Sequence, residues 1–221
     1  MRRKNQLITT QSGNALIYVL IAIVLFAGLS FTMSRQTGDT NTNEVDEAKS
    51  ELIAVQLIAY ATQVKSVIDQ LIFTGTRFGS LDLTEPDEAG FGTGPFVHKV
   101  FHPEGGGLTP SSIPAQAKAD PATDWFIGQV NNVEWTNSAG TDVILTAHQI
   151  TKSVCEAINE TLIGSTTIPA LTGPLESYLV ETGTNLELTN AVCAACEGHM
   201  SLCVSNPGAT DFSFYSVVGD R

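Results

Sequence analysis

Three cysteines and a histidine crowd into one short stretch, CAACEGHMSLC, in which Cys193, Cys196, His199 and Cys203 offer the soft and borderline donors that tetrahedral zinc takes. A fourth cysteine, Cys155, stands well upstream. An even set of four is also the pattern of two disulfides in an oxidising compartment. That is the reading adopted, because zinc would leave Cys155 as an odd thiol. Three connectivities are open. The expected one ties Cys155 to a member of the C-terminal cluster and joins the remaining two cysteines, closing a loop of about 40 residues. Cys193-x-x-Cys196 has no βαβ unit around it to make a thioredoxin-like redox pair, and Glu197 stands where haem attachment needs histidine.

Other candidate chemistry is weaker. His98, His102 and Glu104 could meet at a metal if FVHKVFH is a strand, where Phe96, His98, Val100 and His102 share a face, but Gly105 to Gly107 suggest a turn at a packed edge. The acidic loop with Asp82, Glu85, Asp87 and Glu88 lacks the alternating oxygen-ligand spacing of an EF-hand and reads as a solvated charged loop. There is no Gly-x-Ser-x-Gly elbow, no His-Glu-x-x-His and no glycine-rich phosphate loop. The expectation is a chain that is not an enzyme and carries no cofactor and no metal.

Of the 11 basic residues, Arg2, Arg3 and Lys4 precede all 23 acidic ones, and the others are scattered singly without a basic stripe. A chain with a net charge of -12 repels nucleic acid, and no nucleic-acid partner is expected. Between the basic start and the acidic remainder, ALIYVLIAIVLFAGLSFTM runs from Ala15 to Met33 without a charge. At about 1.5 Å per residue it reaches roughly 28 Å, enough to cross the hydrocarbon of a lipid bilayer. The charge asymmetry orients it with the N-terminus inside and the rest outside. A cleaved signal peptide, cut near Gly28-Leu29-Ser30, is the alternative. The polar QLITTQSG ahead of the run, and the length of the run, favour an anchor that stays.

The short basic leader ending in Gly13, followed at once by an uncharged helix, resembles the start of type IV prepilins and pseudopilins. The resemblance implies cleavage after Gly13 by a prepilin peptidase, methylation of Asn14 as the first mature residue, and partners that are other pilin-like subunits. The family usually has Phe first and Glu fifth in the mature chain, whereas this sequence has Asn14 and Tyr18. Tyr18, at the anchor or filament-core position, offers a hydroxyl in place of the carboxylate that neutralises a neighbour's amino terminus. That departure points to a minor subunit of a type IV pilus or a type II secretion-like filament. The stretches Phe101 to Gly107 and Val154 to Asn159 also resemble bacterial pilin-like proteins of no known activity.

The rest of the chain supplies an α+β head. The expected division is a leader over 1–13, a transmembrane helix over 14–34, a hinge over 35–43, an amphipathic helix over 44–74 and a disulfide-stabilised head over 75–221. Asn43 reads as the N-cap of the amphipathic helix and Gly75 as its stop. Ala48, Leu52, Val55, Leu57, Tyr60, Ala61, Val64, Ile68 and Leu71 fall at helical spacing and should supply its buried face. Residues 75–123 read as a long loop region broken by the FVHKVFH strand. WFIGQV, NVEWT and TDVILTA read as an antiparallel meander. A capping box at Thr146 and Gln149 opens a helix that ends at Gly164, with Cys155 beside its apolar face. MSLCV and FSFYSVV read as closing strands, so the long helix, an anchor with an amphipathic extension, should pack on an antiparallel sheet as in a pilin. The first rival reading is an anchored periplasmic binding or adhesion domain that does not polymerise, and the second is an exported enzyme with an unrecognised site.

Overall fold

The computed structural model describes residues 40–180 and 186–220. The leader, the anchor segment, Gly13, Asn14 and Tyr18 lie outside the described residues. The chain divides into two compact units, Met1–Asp46 and Glu47–Arg221, and the sheet and its core belong to the second. Helix α1 spans Thr40–Phe73, strand β1 Trp125–Asn131, β2 Asp142–Ile150, helix α2 Lys152–Ile163, α3 Leu175–Leu179, β3 Ser201–Ser205 and β4 Phe212–Gly219. The architecture is α+β, one long N-terminal helix and a four-stranded sheet of order β1-β2-β4-β3 in which every pairing is antiparallel.

Helix α1 is already formed at Thr40, so Asn43 lies inside it and is not its N-cap. It stops where expected. Gly75 sits at φ 107°, Thr76 N–H donates to the Leu71 carbonyl and Gly75 N–H to that of Ile72, a paired closure that needs the left-handed backbone glycine adopts most readily. Ile53, Ala54, Leu57, Tyr60, Ala61, Val64, Ile68 and Leu71 are buried. Ala48, Leu52 and Val55 are exposed, against the sequence reading, because the buried stripe runs through the adjacent positions Ile53 and Ala54. Among the described residues one helix, Asp46–Phe73, is long and apolar enough to cross a membrane, and a third of its apolar window is buried within the protein.

The central strands β2 and β4 are buried on both faces, which explains their nearly unbroken apolar runs. Period-2 alternation sends Val143, Leu145, Ala147, Phe214 and Val218 into the core that holds the buried face of α1 and Ile158 of α2. Ile144, Leu202, Val204, Tyr215 and Val217 enter a second core with Leu171, Leu175, Leu179, Leu188 and the Cys193–Cys196 pair.

Three expected elements differ. FVHKVFH is not a strand: Phe96–His98 forms one 3-10 turn, and only Lys99 makes a β-bridge, to Asp82. Within NVEWT only Val133 bridges, to Leu188, and the rest turns towards β2. The proposed capping box belongs to β2, which continues to Ile150; the Thr146 hydroxyl donates to the Leu179 carbonyl at 2.7 Å, and α2 begins at Lys152. The loop of 75–123 is packed against α1 through buried Val100, Phe101, Leu108, Ile113 and Ala117. Its glycines permit this: a Cβ on Gly105 would lie 2.3 Å from the Lys99 carbonyl oxygen, and one on Gly106 would lie 2.4 Å from that of Val100.

Candidate functional site

All four cysteines are in disulfides, Cys155–Cys203 across a sequence separation of 48 and Cys193–Cys196 across 3. No thiolate is left for zinc, and the His199 carbonyl accepts from Trp135 Nε1 and the Tyr215 hydroxyl. His98, His102 and Glu104 do not converge. His98 Nδ1 meets the Thr76 hydroxyl at 3.1 Å, whereas the His102 ring stacks on Phe96 and also contacts Phe91. The Glu104 backbone N–H donates to His102 Nδ1. Among the described residues no group of three His, Cys, Asp or Glu side chains could hold a metal ion.

One constellation was not legible in the sequence. His148 Nδ1 lies 2.9 Å from the Ser213 hydroxyl and Nε2 lies 3.3 Å from Glu176 Oε1. Burial lowers the His148 pKa, partly offset by Glu176 and Asp211. The order nucleophile, base, acid is that of a hydrolytic triad, but Ser213 is fully buried in a central strand, out of reach of a substrate carbonyl. The trio ties α3 to the sheet.

A second buried polar group has a pH consequence. Asp142 is fully buried; its Oδ2 accepts from the Val133 N–H and the Thr136 hydroxyl, while Oδ1 has no partner. Its cross-strand partner Asn131 donates through Nδ2 to the Tyr178 carbonyl and leaves its own Oδ1 unpaired. Burial raises the Asp142 pKa; the Val133 and Thr136 bonds oppose this, and the charge of Asp220 adds to it. The folded state therefore holds this proton more tightly than the unfolded chain. Its contribution to stability is complete below the ordinary aspartate range and is lost as pH rises through the raised folded value. Asp142→Asn, which places an Nδ2 donor where Asp142 Oδ1 stands, is expected to stabilise the protein by about 1 kcal/mol at pH 8 and to flatten this part of the pH profile. Urea midpoints at pH 4 and pH 8 for both proteins measure it.

An open concavity runs beside α1. A cleft of about 640 Å³ lies between Gln56, Tyr60 and Gln63 of α1, the 109–114 segment, and Trp125 at the start of β1. A neighbouring cleft of about 400 Å³ shares Tyr60, Ser111 and Trp125 and is bounded by Glu85, Asp87 and Asp124. The rings of Tyr60 and Trp125 are 5.1 Å apart and tilted by 47°, and Trp125 meets Phe214 edge-on from behind. Asp124 is fixed by Lys118 Nζ at 2.9 Å and by the N–H groups of Ile113 and Trp125. Burial raises its pKa, but these bonds outweigh burial and hold the carboxyl below its ordinary value. Glu85 goes the other way: burial raises its pKa, and Asp87, Glu88 and Asp124 raise it further.

Close to this cleft α1 leaves apolar side chains in solvent, Leu52 at 61% and Val55 at 53% exposure. Their three-residue spacing puts them on one helical stripe, with Ala48 and Ala59 above and below. Comparison with protein-family models, with curated proteins and with solved structures finds no match.

Proposed function

We propose that the chain is a pilin-like structural subunit, a minor pilin or pseudopilin of a type IV pilus or type II secretion-like filament, whose work is assembly rather than catalysis. The observation that carries the reading is a 34-residue helix that lays one face across an antiparallel sheet and leaves an apolar stripe uncovered, in a chain that opens with a basic leader and an uncharged membrane-length run. In this reading the segment from Asn14 rests in the lipid bilayer of the bacterial inner membrane, with the N-terminus cytoplasmic and the head periplasmic, and packs with other pilin-like subunits once assembled. An oxidising periplasm suits two disulfides.

The mass of the mature N-terminus, measured in membranes of cells with and without prepilin peptidase, tests this. A methylated chain beginning at Asn14, present only with the peptidase, is the expected result. A chain beginning at Met1, or one cut near Ser30, would overturn the assignment. The clefts at Tyr60 and Trp125 favour the second reading, an anchored binding domain, and an unprocessed chain that binds a ligand as a monomer would establish it.

A further inference from the structure

We infer that the paired clefts at Tyr60 and Trp125 bind an organic cation, the ammonium or guanidinium group of a lysine or arginine side chain or of a free amine. Three features converge on this chemistry. The wall is aromatic and held in place, since Trp125 packs on Tyr60 on one side and is backed by Phe214 on the other. A cation over such a face is attracted by the negative charge of the ring's π-system, more strongly where water is excluded. Part of the negative charge at the rim is uncommitted: Asp124 is paired with Lys118, but neither Glu85 nor Asp87 enters an ion pair among the described residues. No lysine, arginine or histidine lines either cleft. Glu85, half-buried among other carboxylates, is held in a field that an incoming positive charge would relieve.

Size and lining narrow the ligand. About 640 Å³ with an adjoining 400 Å³ accommodates an extended side chain, with Pro110 and Ala59 to lie along its methylenes. A metal ion keeps its water shell and would gain little from the rings. A neutral sugar could stack on Trp125 but would leave Glu85 unpaired. The inference concerns the head alone and holds whether or not the chain assembles into filaments.

The test uses the full chain in neutral detergent. Trp135→Phe leaves Trp125 as the sole tryptophan, so its fluorescence reports on the cleft, and calorimetry on the unsubstituted chain gives the same constants if that variant fails to fold. The probes are N-acetyl-arginine amide, spermidine and cellobiose. Saturable binding of either cation is expected, weakened at least fivefold by Glu85→Gln and by raising the salt, with no saturation by cellobiose. Tighter binding of the arginine amide assigns a protein partner, and tighter binding of spermidine a free amine. Absence of saturation by both cations, binding unchanged in Glu85→Gln, or saturation by cellobiose alone would overturn the inference.

Discussion

Asn159→Ala is expected to destabilise the head by about 4 kcal/mol without touching the cleft. Asn159 is fully buried on α2. Its Oδ1 accepts from the Cys203 N–H at 2.8 Å, and its Nδ2 donates to the carbonyls of Cys203 at 2.9 Å and Thr167 at 3.0 Å. Among the described residues β3 forms its ladder with β4 and bridges outward only at Ser205, to Ala170, so the outward backbone groups of Cys203 need a partner from elsewhere. The amide of Asn159 serves as that partner. Alanine would strand the buried N–H and C=O of Cys203, each costing about 1–3 kcal/mol, and leave the carbonyl of the exposed Thr167 to water. Cys155, one turn earlier on the same face of α2, holds the same residue through its disulfide. The strand should therefore stay tethered while its hydrogen bonds are lost. Asn159→Asp should be at least as damaging, since it keeps the acceptor for Cys203 N–H but sets a buried carboxylate against two carbonyl oxygens. Urea unfolding of the oxidised chain reads both; a loss under 1 kcal/mol for the alanine variant would show that water replaces the amide.

What could be read in the sequence was local or periodic. Gly75 and Gly164 mark real helix ends, the closing strands lie where their β-branched and aromatic content puts them, and the structure joins Cys155 to the C-terminal cluster with the other two cysteines paired. Periodicity was less informative where α1 carries apolar residues on more than one side. Leu52 and Ile53 are equally apolar, and only the position of the sheet decides which is buried. The strand reading of FVHKVFH failed for a related reason: alternation over a few residues also fits a 3-10 turn followed by a packed bridge, and the decisive contact is made by Asp82 from across the loop. The capping pattern at Thr146 and Gln149 was outweighed by the pairing of β2 with β4, a contact between residues some 70 apart. Of the cleft, only the acidic loop was legible, as a solvated charge cluster. Tyr60 and Trp125 come together from separate elements, and neither residue alone signals a site. The same holds for His148 with Ser213.

The acidic loop also explains the second large effect, expected when Lys99 is replaced by methionine. Lys99 has a side chain only 2% exposed, and its ammonium has two partners, Asp82 Oδ2 at 2.8 Å and the Gly90 carbonyl oxygen at 2.8 Å. It closes the 82–90 loop from inside, much as a bound cation would, and so positions Glu85 and Asp87 at the cleft. Methionine preserves most of the stem's packing and removes only the charge and its donors. Breaking a buried pair by deleting one partner costs about 3–5 kcal/mol, but the Asp82 carboxylate is a third exposed and regains water, so roughly 3 kcal/mol is expected. The pH dependence gives a second readout. Burial raises the Asp82 pKa, but the bond from Lys99, those from Thr84 and the lysine's charge together pull it below its ordinary value. Its contribution is therefore present above the ordinary aspartate range and lost as pH falls through the lowered folded value, opposite in sign to that of Asp142. Lys99→Met should lose stability at neutral pH, lose the acid-side slope assigned to Asp82, and release the amide of Val100, which donates to the Asp82 carbonyl, to faster hydrogen exchange. If the urea midpoint and the exchange at Val100 are both unchanged, the loop is held by its backbone bonds and by the packing of Phe101 and Leu108, and the lysine is only a passenger in the core.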